Sequence, residues 1–319
     1  MRAPGTKPPR VDVIVNRVAQ RLAKGGKLRD ALLSAERLGA RVTETRSLAE
    51  LDEAARAIAA RGTDRVVLAG GDGSYTAGVT ALERVMAGRM PTIALAPGGT
   101  VSTVARNWGL RGLDARTAER IVRRALDVAA PEIERPTLRV RDDRGGNRVG
   151  FIFGAGLVAS FFDVYYAAPA QGYAAAARIA ARVFAGSFVG SAFARSVLTP
   201  TPSELSVDGA RLEPSAWSLV VASVVRDVGI HMHLTYRAAE RFDRFHLVAS
   251  ALDARALGPQ MPRVLAGRPL RGAHHVDALA EHLALRFTSE RRAYVLDGDL
   301  FAASLVQVSA GPTLRFLAA

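Results

Sequence analysis

The first third of the chain alternates short apolar runs with stretches in which apolar residues recur at helical spacing. The apolar runs predict buried strands at 11–15, 40–44, 65–69 and 92–96. Helical spacing at 18–38 and 48–60, and helix-compatible residues up to position 87, predict the connecting helices. Strands that alternate with helices are typical of an open, mainly parallel, Rossmann-like α/β sheet.

The pattern changes after Pro131 and Pro136, where short apolar runs are separated by turn-forming residues such as Asp208-Gly209. These runs predict strands at 137–141, 148–153, 204–208, 217–225, 244–249, 283–288, 293–297 and 303–308. One Ala-rich helix is predicted at 173–195. We therefore expect an α/β domain over 1–134 and a β-rich domain over 135–319, and leave open a return of the last strands to the first domain.

Composition narrows the classes of protein to which this chain can belong. With 319 residues, of which 49% are hydrophobic and 23% charged, the chain is globular, and without cysteine it has no disulfide or thiolate chemistry. The net charge of +13 favours anionic partners, namely nucleic acid, phosphorylated ligands or an acidic membrane surface, unless it reflects only a bias toward Arg. No basic run is interleaved with aromatic residues, so we expect no nucleic-acid partner.

Neither a membrane span nor an export signal is predicted. The longest apolar stretches, 149–162 and 183–194, are shorter than the roughly 20 residues that a spanning helix needs. The start, MRAPGTKPPR, has no apolar stretch behind its basic residues, unlike a secretory signal. We expect a cytoplasmic protein.

Two glycine-rich loops follow neighbouring strands and open helices. The first is Gly70-Gly71-Asp72-Gly73-Ser74, and the second is Pro97-Gly98-Gly99-Thr100 with Ser102 close behind. Glycines permit φ > 0 and remove the Cβ atoms that would block a phosphate, and the N–H groups at a helix start face an anion. A carboxylate beside a phosphate is unfavourable unless it binds Mg²⁺, a ribose hydroxyl or a catalytic proton, so Asp72 indicates chemistry. Two ordinary strand–helix turns are the alternative.

Common nucleotide-binding motifs do not describe these loops. Thr76 stands where the dinucleotide fingerprint needs its last glycine, and no Lys follows the glycines as in a Walker A loop. The stretch VVLAGGDGSYTAGVTAL, followed by a strand and Pro-Gly-Gly-Thr, instead resembles the diacylglycerol kinase catalytic family. That family includes bacterial lipid kinases, sphingosine kinases and ceramide kinases.

The resemblance extends over nearly the whole chain. Asn16 ends the first strand, Thr45 is the match for the threonine after the second, and Asp297-Gly298-Asp299 stands for the Asp-Gly-Glu turn of the family. The resemblance implies an N-terminal domain that binds ATP, a C-terminal β-sandwich and a site in the cleft between them.

Roles for particular residues follow from the resemblance. It implies that Asp299 takes the proton from a lipid hydroxyl, and that Asp72 lies at Mg²⁺ or the γ-phosphate of ATP. The candidate nucleotide-binding residues are Asn16, Thr45, Gly70, Gly71, Gly73, Ser74, Gly98, Gly99, Thr100 and Ser102.

The chain departs from the family pattern at several places, among them the segment around 235–247, where a later motif of the family is barely recognisable. Arg17 replaces a proline, Ser102-Thr103 replace Asn-Asp, and Asp299 is one methylene shorter than the usual glutamate. These departures leave a weak or inactive nucleotide- or lipid-binding sensor as an alternative to an active kinase. Sugar phosphofructokinases and NAD kinases also carry Gly-Gly-Asp-Gly, but the glycine loop after the first strand and the Asn-Glu pair that they use are absent.

The implied acceptor is a lipid hydroxyl, on a ceramide, a sphingoid lipid or a diacylglycerol, delivered from a membrane surface. Aromatic residues are concentrated at 149–194, and Arg178, Arg182 and Arg195 punctuate the Ala-rich helix. Such a helix can lie at an interface and bind anionic head groups, so we expect a peripheral protein at the inner face of the membrane. A helix buried against the β-rich domain is the alternative.

His231 and His233 are spaced to present two imidazoles on one face of a strand, as metal ligands often are. Asp243 and His246 are candidates for a further ligand, and histidines that only pack or face solvent are the alternative.

Overall fold

The computed structural model describes residues 7–23, 26–86, 88–99, 101–110, 112, 114–169, 172–288 and 291–318. These residues form two units. The first runs to Arg135 and takes in the residues from Thr313 onward, and the second is Pro136–Pro312.

The first unit contains a six-stranded sheet in the order β2-β1-β3-β4-β19-β5. Its strands are β1 (Val11–Asn16), β2 (Arg41–Thr45), β3 (Arg65–Gly70), β4 (Thr92–Pro97), β5 (Glu132–Arg135) and β19 (Leu314–Leu317). All neighbours are parallel except β5, which runs antiparallel to β19. The last strand of the chain therefore belongs to the first sheet, and the sequence pattern had predicted neither β5 nor β19.

Helices cover both faces of this sheet because its central strands are apolar on both sides. The helices are α1 (Gln20–Ala23), α2 (Lys27–Leu33), a 3₁₀ turn (Ser34–Leu38), α3 (Leu48–Arg61), α4 (Asp72–Met86), α5 (Thr103–Asn107) and α6 (Ala115–Leu126). Val13 and Val67 pack with Leu22, Leu32 and residues of α6 on one face. On the other face, Gly78 of α4 lies against Leu68 so closely that a Cβ there would come within 2.9 Å.

The helix predicted over 18–38 is wrong, because the segment forms α1, α2 and the 3₁₀ turn instead. Gly26 precedes α2 with φ of 85°, a conformation that no α-helix can continue through. The helix predicted at 48–60 is confirmed as α3. The Ser47 hydroxyl caps it by accepting the N–H of Glu50, and Gly62 ends it in the left-handed conformation.

The second unit contains two antiparallel sheets. One has the order β10-β9-β15-β18-β6-β7, with β11 also paired to β9, and the other has the order β14-β13-β12-β8-β16-β17. The strands are β6 (Leu138–Asp142), β7 (Asn147–Gly150), β8 (Ile152–Gly156), β9 (Thr201–Val207), β10 (Ala210–Leu212), β11 (Ala216–Trp217), β12 (Leu219–Ser223), β13 (Phe245–Ser250), β14 (His275–Ala280), β15 (His282–Phe287), β16 (Arg292–Leu296), β17 (Asp299–Ala303) and β18 (Leu305–Ala310). A mainly parallel α/β sheet followed by antiparallel sheets confirms the predicted fold class.

The second unit contains more helices than the one that the sequence pattern predicted. They are α7 (Leu157–Ala167), α8 (Tyr173–Phe188), α9 (Ala192–Leu198), α10 (Ala254–Leu257), a 3₁₀ turn (Gly258–Gln260) and α11 (Met261–Leu265). The single helix predicted at 173–195 is wrong, because Gly190 with φ of 60° separates α8 from α9. The sequence pattern also missed α7, whose nearly uniform apolar composition hides any helical period.

One face of α8 and α9 is buried. Val183 and Val197 join a core cluster with Leu219, Val221 and Val248 of β12 and β13. Among the described residues, no helix is long and apolar enough to cross a membrane.

A buried charged network joins the two sheets of the second unit. Tyr294 of β16 donates a hydrogen bond of 2.6 Å to Asp142 of β6, and Arg148 of β7 donates one of 2.7 Å to the same carboxylate oxygen. The Arg148 guanidinium also lies 4.0 Å from the ring centroid of Phe301. Burial disfavours the charge of Asp142, but these hydrogen bonds outweigh it and lower the pKa of Asp142 to about 2.

We predict that this network makes the protein less stable in acid. A pKa lowered from 3.8 to about 2 adds stability that is present above pH 4 and is lost as the pH falls toward 2. Removal of the tyrosine hydroxyl in Tyr294→Phe should lower the free energy of unfolding by about 1–2 kcal/mol at neutral pH and flatten its dependence between pH 4 and 2. Urea unfolding at a series of pH values measures both effects. Tyr173→Phe, at an exposed tyrosine, is the control, and equal pH profiles for Tyr294→Phe and wild type would contradict the assignment.

Candidate active site

The carboxyl ends of four parallel strands meet at one edge of the first sheet. In the strand register Asn16 lies opposite Thr45, and Gly70 lies opposite Pro97. Thr45 is buried, and its carbonyl accepts the N–H of Arg17 at 2.8 Å. The structure therefore brings the predicted residues Asn16, Thr45 and Gly70 to one edge, where open α/β sheets bind ligands.

Hydrogen bonds join the end of β1 to the first glycine loop. The Asn16 side-chain amide donates to the Ser74 hydroxyl oxygen at 2.8 Å, and the same oxygen accepts the N–H of Gly71 at 3.2 Å. The Asn16 amide oxygen accepts the N–H of Val18 at 2.9 Å. Ser74 and Asn16 thus hold the shape of the loop, a structural role that sequence reasoning did not assign to them.

The two glycine loops touch each other through their backbones. A Cβ built on Gly99 would lie 2.4 Å from the Cα of Gly71, and a Cβ on Gly71 would lie 3.2 Å from the Cα of Gly99. The N–H of Gly98 also donates to the carbonyl of Gly70 at 2.8 Å. Glycine is therefore required at position 99 by close approach.

The carboxylate of Asp72 ties the first loop to the helix that follows the second. Its two oxygens accept the N–H of Thr103 at 2.6 Å and the N–H of Val104 at 3.0 Å, at the start of α5. A helix start leaves such N–H groups without partners inside the helix, so Asp72 acts as its cap. Asp72 also affects Tyr75. Burial is the main cause that raises the pKa of Tyr75 well above its usual range, and the negative charge of Asp72 is the second cause.

The side chain of Ser102 does not cap α5. Ser102 is the residue before α5 and has φ of 52°, but its side chain makes no cap hydrogen bond to the helix, because Asp72 occupies that place. Thr100, the other predicted hydroxyl of the second loop, lies outside the described residues. The roles of Asp72 in metal binding and of Ser102 in nucleotide binding stay predictions.

An ion-pair cluster lies beside the same strand ends, and sequence reasoning missed it. Arg29 holds Glu44 with two hydrogen bonds of 2.6 and 2.8 Å, and Arg17 adds a third of 3.2 Å. The hydrogen bond from Arg29 is the main cause of a lowered pKa for Glu44. Two guanidinium groups around one carboxylate leave a net positive charge near the loops, where an anion is stabilised.

In the second unit, the turn between β16 and β17 holds two aspartates in different surroundings. The carboxylate of Asp297 is buried and accepts the N–H groups of Phe151 and Ile152 at 2.9 and 2.8 Å. Asp299 is exposed, and within the described part of the chain its carboxylate has no hydrogen bond or ion pair. The surrounding protein still desolvates it partly, which raises its pKa above the usual aspartate value.

Helix α7 places aromatic side chains next to this turn. The Tyr166 hydroxyl donates to the carbonyl of Gly298 at 2.8 Å, and a Cβ on Gly298 would lie 3.8 Å from the ring of Phe162. Burial, and then the charge of Asp299, raise the pKa of Tyr166 to about 12. Tyr165 continues the cluster, with its ring centroid 5.3 Å from that of Tyr166. An apolar aromatic surface therefore adjoins the free carboxylate.

A family comparison identifies the first unit. Residues 10–130, which include both glycine loops, match the model of the diacylglycerol kinase catalytic domain. These residues belong to the diacylglycerol kinase catalytic domain family. No curated protein sequence matches the chain significantly.

Two solved structures share the fold over the whole chain. A diacylglycerol kinase from Bacillus anthracis str. Sterne has a TM-score of 0.63 at 16% identity, over 99% of this chain and 98% of that one. A second protein of the same organism, described as a candidate diacylglycerol kinase, has a TM-score of 0.68 at 15% identity, over 99% of both chains. The similarity extends beyond the diacylglycerol kinase catalytic domain to the antiparallel sheets.

Two of the departures from the family pattern lie within the matched residues and can be located in the structure. In place of the Asn-Asp pair of the diacylglycerol kinase catalytic domain, Ser102 is buried and Thr103 donates its backbone N–H to Asp72. The backbone contact that holds the second loop thus does not depend on the side chains that were exchanged. Arg17, in place of the family's proline, contributes its guanidinium to the Glu44 cluster.

We predict that an alanine substitution is more harmful at Gly99 than at Gly71. Gly99→Ala should cost about 1–3 kcal/mol of stability and weaken binding of an ATP analogue at least about tenfold, because its Cβ must displace the backbone of Gly71. Gly71→Ala should have a smaller effect on both stability and binding, because its Cβ would lie 3.2 Å from the Cα of Gly99. Calorimetric titration measures the affinity for the ATP analogue, and thermal melting measures the stability. Equal effects of the two variants, or none, would contradict the close approach.

Proposed function

We propose that the protein is an ATP-dependent lipid kinase, which transfers the γ-phosphate of ATP to the hydroxyl group of a membrane lipid. The observation that carries the proposal is the pair of touching glycine loops at the carboxyl edge of a parallel sheet, within a diacylglycerol kinase catalytic domain. Glycine-rich loops at a helix start are a combination to which phosphates bind.

The residues at the strand ends fit a polyphosphate. The 15-residue helix α4 begins at Asp72, so the N–H groups of its first turn lie at the first glycine loop. The excess positive charge of Arg17 and Arg29 around Glu44 supports an anion there. In the proposal, the glycine loops hold the phosphates, and Asn16 and Thr45 lie beside the nucleotide.

Mg²⁺ is proposed as the metal that accompanies ATP. Magnesium in kinases is usually held by one or two carboxylates together with the phosphates, and Asp72 supplies one such carboxylate beside the loop. Its two oxygens accept the N–H groups of Thr103 and Val104, and these contacts hold the carboxylate beside the first glycine loop. When bound, Mg²⁺ would offset the negative charge of the phosphates.

Asp299 is proposed as the general base. Its carboxylate would accept the proton of the lipid hydroxyl while the hydroxyl oxygen bonds to the γ-phosphorus and ADP leaves with the electrons of the broken bond. Three features support this role: the carboxylate has no partner among the described residues, it is accessible, and its pKa is raised toward the working pH. Asp297 is unsuited because its oxygens hold the backbone of β8.

The proposed acceptor carries long hydrocarbon chains, as a ceramide, a sphingoid lipid or a diacylglycerol does. The aromatic cluster of α7, formed by Phe161, Phe162, Tyr165 and Tyr166, lies beside the turn that leads to Asp299, and Tyr166 at its edge is 43% exposed. A sugar or nucleoside acceptor would need several polar partners instead. The cluster therefore favours a lipid without selecting one of the three.

The end of α8 is proposed to contact the membrane from which the lipid is taken. Phe188 and Val189 are 60% and 77% exposed, although both are apolar. The exposed guanidinium of Arg182 lies 4.0 Å from the ring centroid of Phe193 on the neighbouring helix, and Arg195 follows. Exposed apolar residues beside arginines are typical of surfaces that insert shallowly into anionic bilayers.

We predict ATP-dependent phosphate transfer to a lipid in mixed micelles that contain ceramide, sphingosine, diacylglycerol or phosphatidylglycerol. Radiolabelled γ-phosphate should appear in one of these lipids when Mg²⁺ is added. Asp299→Asn should lower kcat at least about 100-fold because an amide cannot accept the proton, and Asp299→Glu should retain activity because it supplies the carboxylate of the family.

Because the base must be ionised, wild-type kcat/KM should fall on the acid side, with a midpoint above the ordinary pKa of aspartate. The variants should melt like wild type, since the Asp299 side chain has no partner to lose in the described structure. No labelled lipid from a protein that binds ATP would overturn the kinase proposal in favour of a nucleotide- or lipid-binding sensor. Wild-type turnover by Asp299→Asn would overturn the role of that residue alone.

We predict that the exposed end of α8 contributes to membrane binding. The double variant Phe188→Asp/Val189→Asp should lower binding to vesicles that contain anionic lipid about tenfold or more, because two apolar side chains are replaced by charges that the bilayer repels. Leu48→Asp, at a residue that is 70% exposed in the first unit, is the matched control. Co-sedimentation with vesicles measures both. An equal loss for the two variants, or none for the double variant, would contradict this surface.

A further inference from the structure

Three side chains of the types that bind metals meet in the connection between β12 and β13. Asp227, His231 and His233 each offer one donor atom, and these atoms all lie within 4.8 Å of one another. The Nδ1 atom of His231 is 3.6 Å from a carboxylate oxygen of Asp227. Within the described part of the chain, this is the one such group.

The connection is folded so that these side chains face each other. One carboxylate oxygen of Asp227 accepts the N–H of Gly229 at 2.8 Å, while the other oxygen is the one nearest to His231. Gly229, Ile230 and His231 all have positive φ angles, of 122°, 46° and 61°, which turn the chain back on itself. The sequence-based expectation of a strand here is therefore wrong, and a tight turn brings the histidines together.

The turn is fixed to its surroundings on both sides. The N–H of Val228 donates to the carbonyl of Met232 at 2.9 Å, which closes the turn. The N–H of His233 donates to the carbonyl of Val264 at 3.2 Å, and the hydroxyl of Thr235 donates to the carbonyl of Val225 at 2.7 Å. The backbone that carries the three side chains is thus held in place before any ligand arrives.

The further ligands suggested by the sequence are engaged elsewhere. His246 is buried, with Nε2 2.8 Å from a carboxylate oxygen of Asp277 and Nδ1 accepting the N–H of Arg237 at 3.3 Å. Asp243 is held by two hydrogen bonds from Arg241. Asp227, which sequence spacing did not single out, takes the place that these residues had been expected to fill.

We propose that Asp227, His231 and His233 bind a divalent transition-metal ion, with water in the remaining positions. Two imidazoles and one carboxylate form a common ligand set for Zn²⁺ and related ions. This set differs from the proposed Mg²⁺ site at Asp72, since Mg²⁺ prefers oxygen ligands alone. The two sites are therefore chemically distinct, and the metal proposal does not rest on kinase activity.

Side-chain rotation alone would bring the donor atoms of Asp227, His231 and His233 to the separations that a metal ion needs. Donor atoms around a tetrahedral Zn²⁺ ion with bonds of about 2.0–2.1 Å are separated by about 3.3 Å. The pair formed by His231 and Asp227 is already close to this value at 3.6 Å. Rotation of the His233 ring, which makes no hydrogen bond among the described residues, would bring the third donor inward. The rival is a simple ion pair between protonated His231 and Asp227, which would leave His233 without a role.

Zinc titration of the untagged, full-length protein, freed of metal by a chelator, tests the proposal. We expect one Zn²⁺ ion per chain, and we expect Asp227→Asn and His231→Asn each to weaken binding at least about tenfold. Asparagine is chosen because it preserves the acceptor for Gly229 at position 227 and tolerates the positive φ at position 231. The double variant His274→Asn/His275→Gln, which removes two neighbouring histidines elsewhere and again places Asn at a positive φ, is the matched control and should bind like wild type.

A second measurement keeps the test independent of folding. Co²⁺ bound by the wild type should show visible absorption bands of a site with nitrogen and oxygen ligands, and excess Zn²⁺ should abolish them. The absence of stoichiometric Zn²⁺ binding by the wild type would overturn the proposal. So would equal affinities for wild type and the two ligand variants, or loss of binding in the His274 and His275 control.

Discussion

The close approach of Gly71 and Gly99 is the constraint on which the candidate site depends. It sets the two glycine loops side by side, where a Cβ on Gly99 would come within 2.4 Å of the neighbouring backbone. Asp72 holds this arrangement because its carboxylate binds the first N–H groups of α5, at Thr103 and Val104. A charged side chain of the first loop thereby holds the start of the helix that follows the second loop.

Much of the first unit could be predicted from local patterns, because its strands are short apolar runs and its loops contain unusual residues. β3 and β4 end directly in the glycine loops, and this order is visible in the sequence. The contact between Asp72 and Thr103 was not predictable. It joins residues that are far apart in sequence, and it produces no periodic pattern of apolar and polar residues. The same holds for Asp142 and Tyr294, which meet across two sheets of the second unit.

Neighbouring residues of one type can differ in chemistry, as the turn between β16 and β17 illustrates. Asp297 and Asp299 are separated by a single glycine, and a motif treats both as turn residues. The structure distinguishes them by their partners, because Asp297 binds two backbone N–H groups of the adjoining strand whereas Asp299 binds none that is described. The aromatic helix α7, which explains the surroundings of Asp299, was hidden by its uniformly apolar composition.

Hydrogen–deuterium exchange with a non-hydrolysable ATP analogue tests most directly whether the glycine loops hold the nucleotide. We expect slower exchange on binding for the backbone amides of residues 70–74 and 98–104, with little change in the turn that carries His231. Protection confined to other segments, or saturating nucleotide binding without protection of either loop, would contradict it.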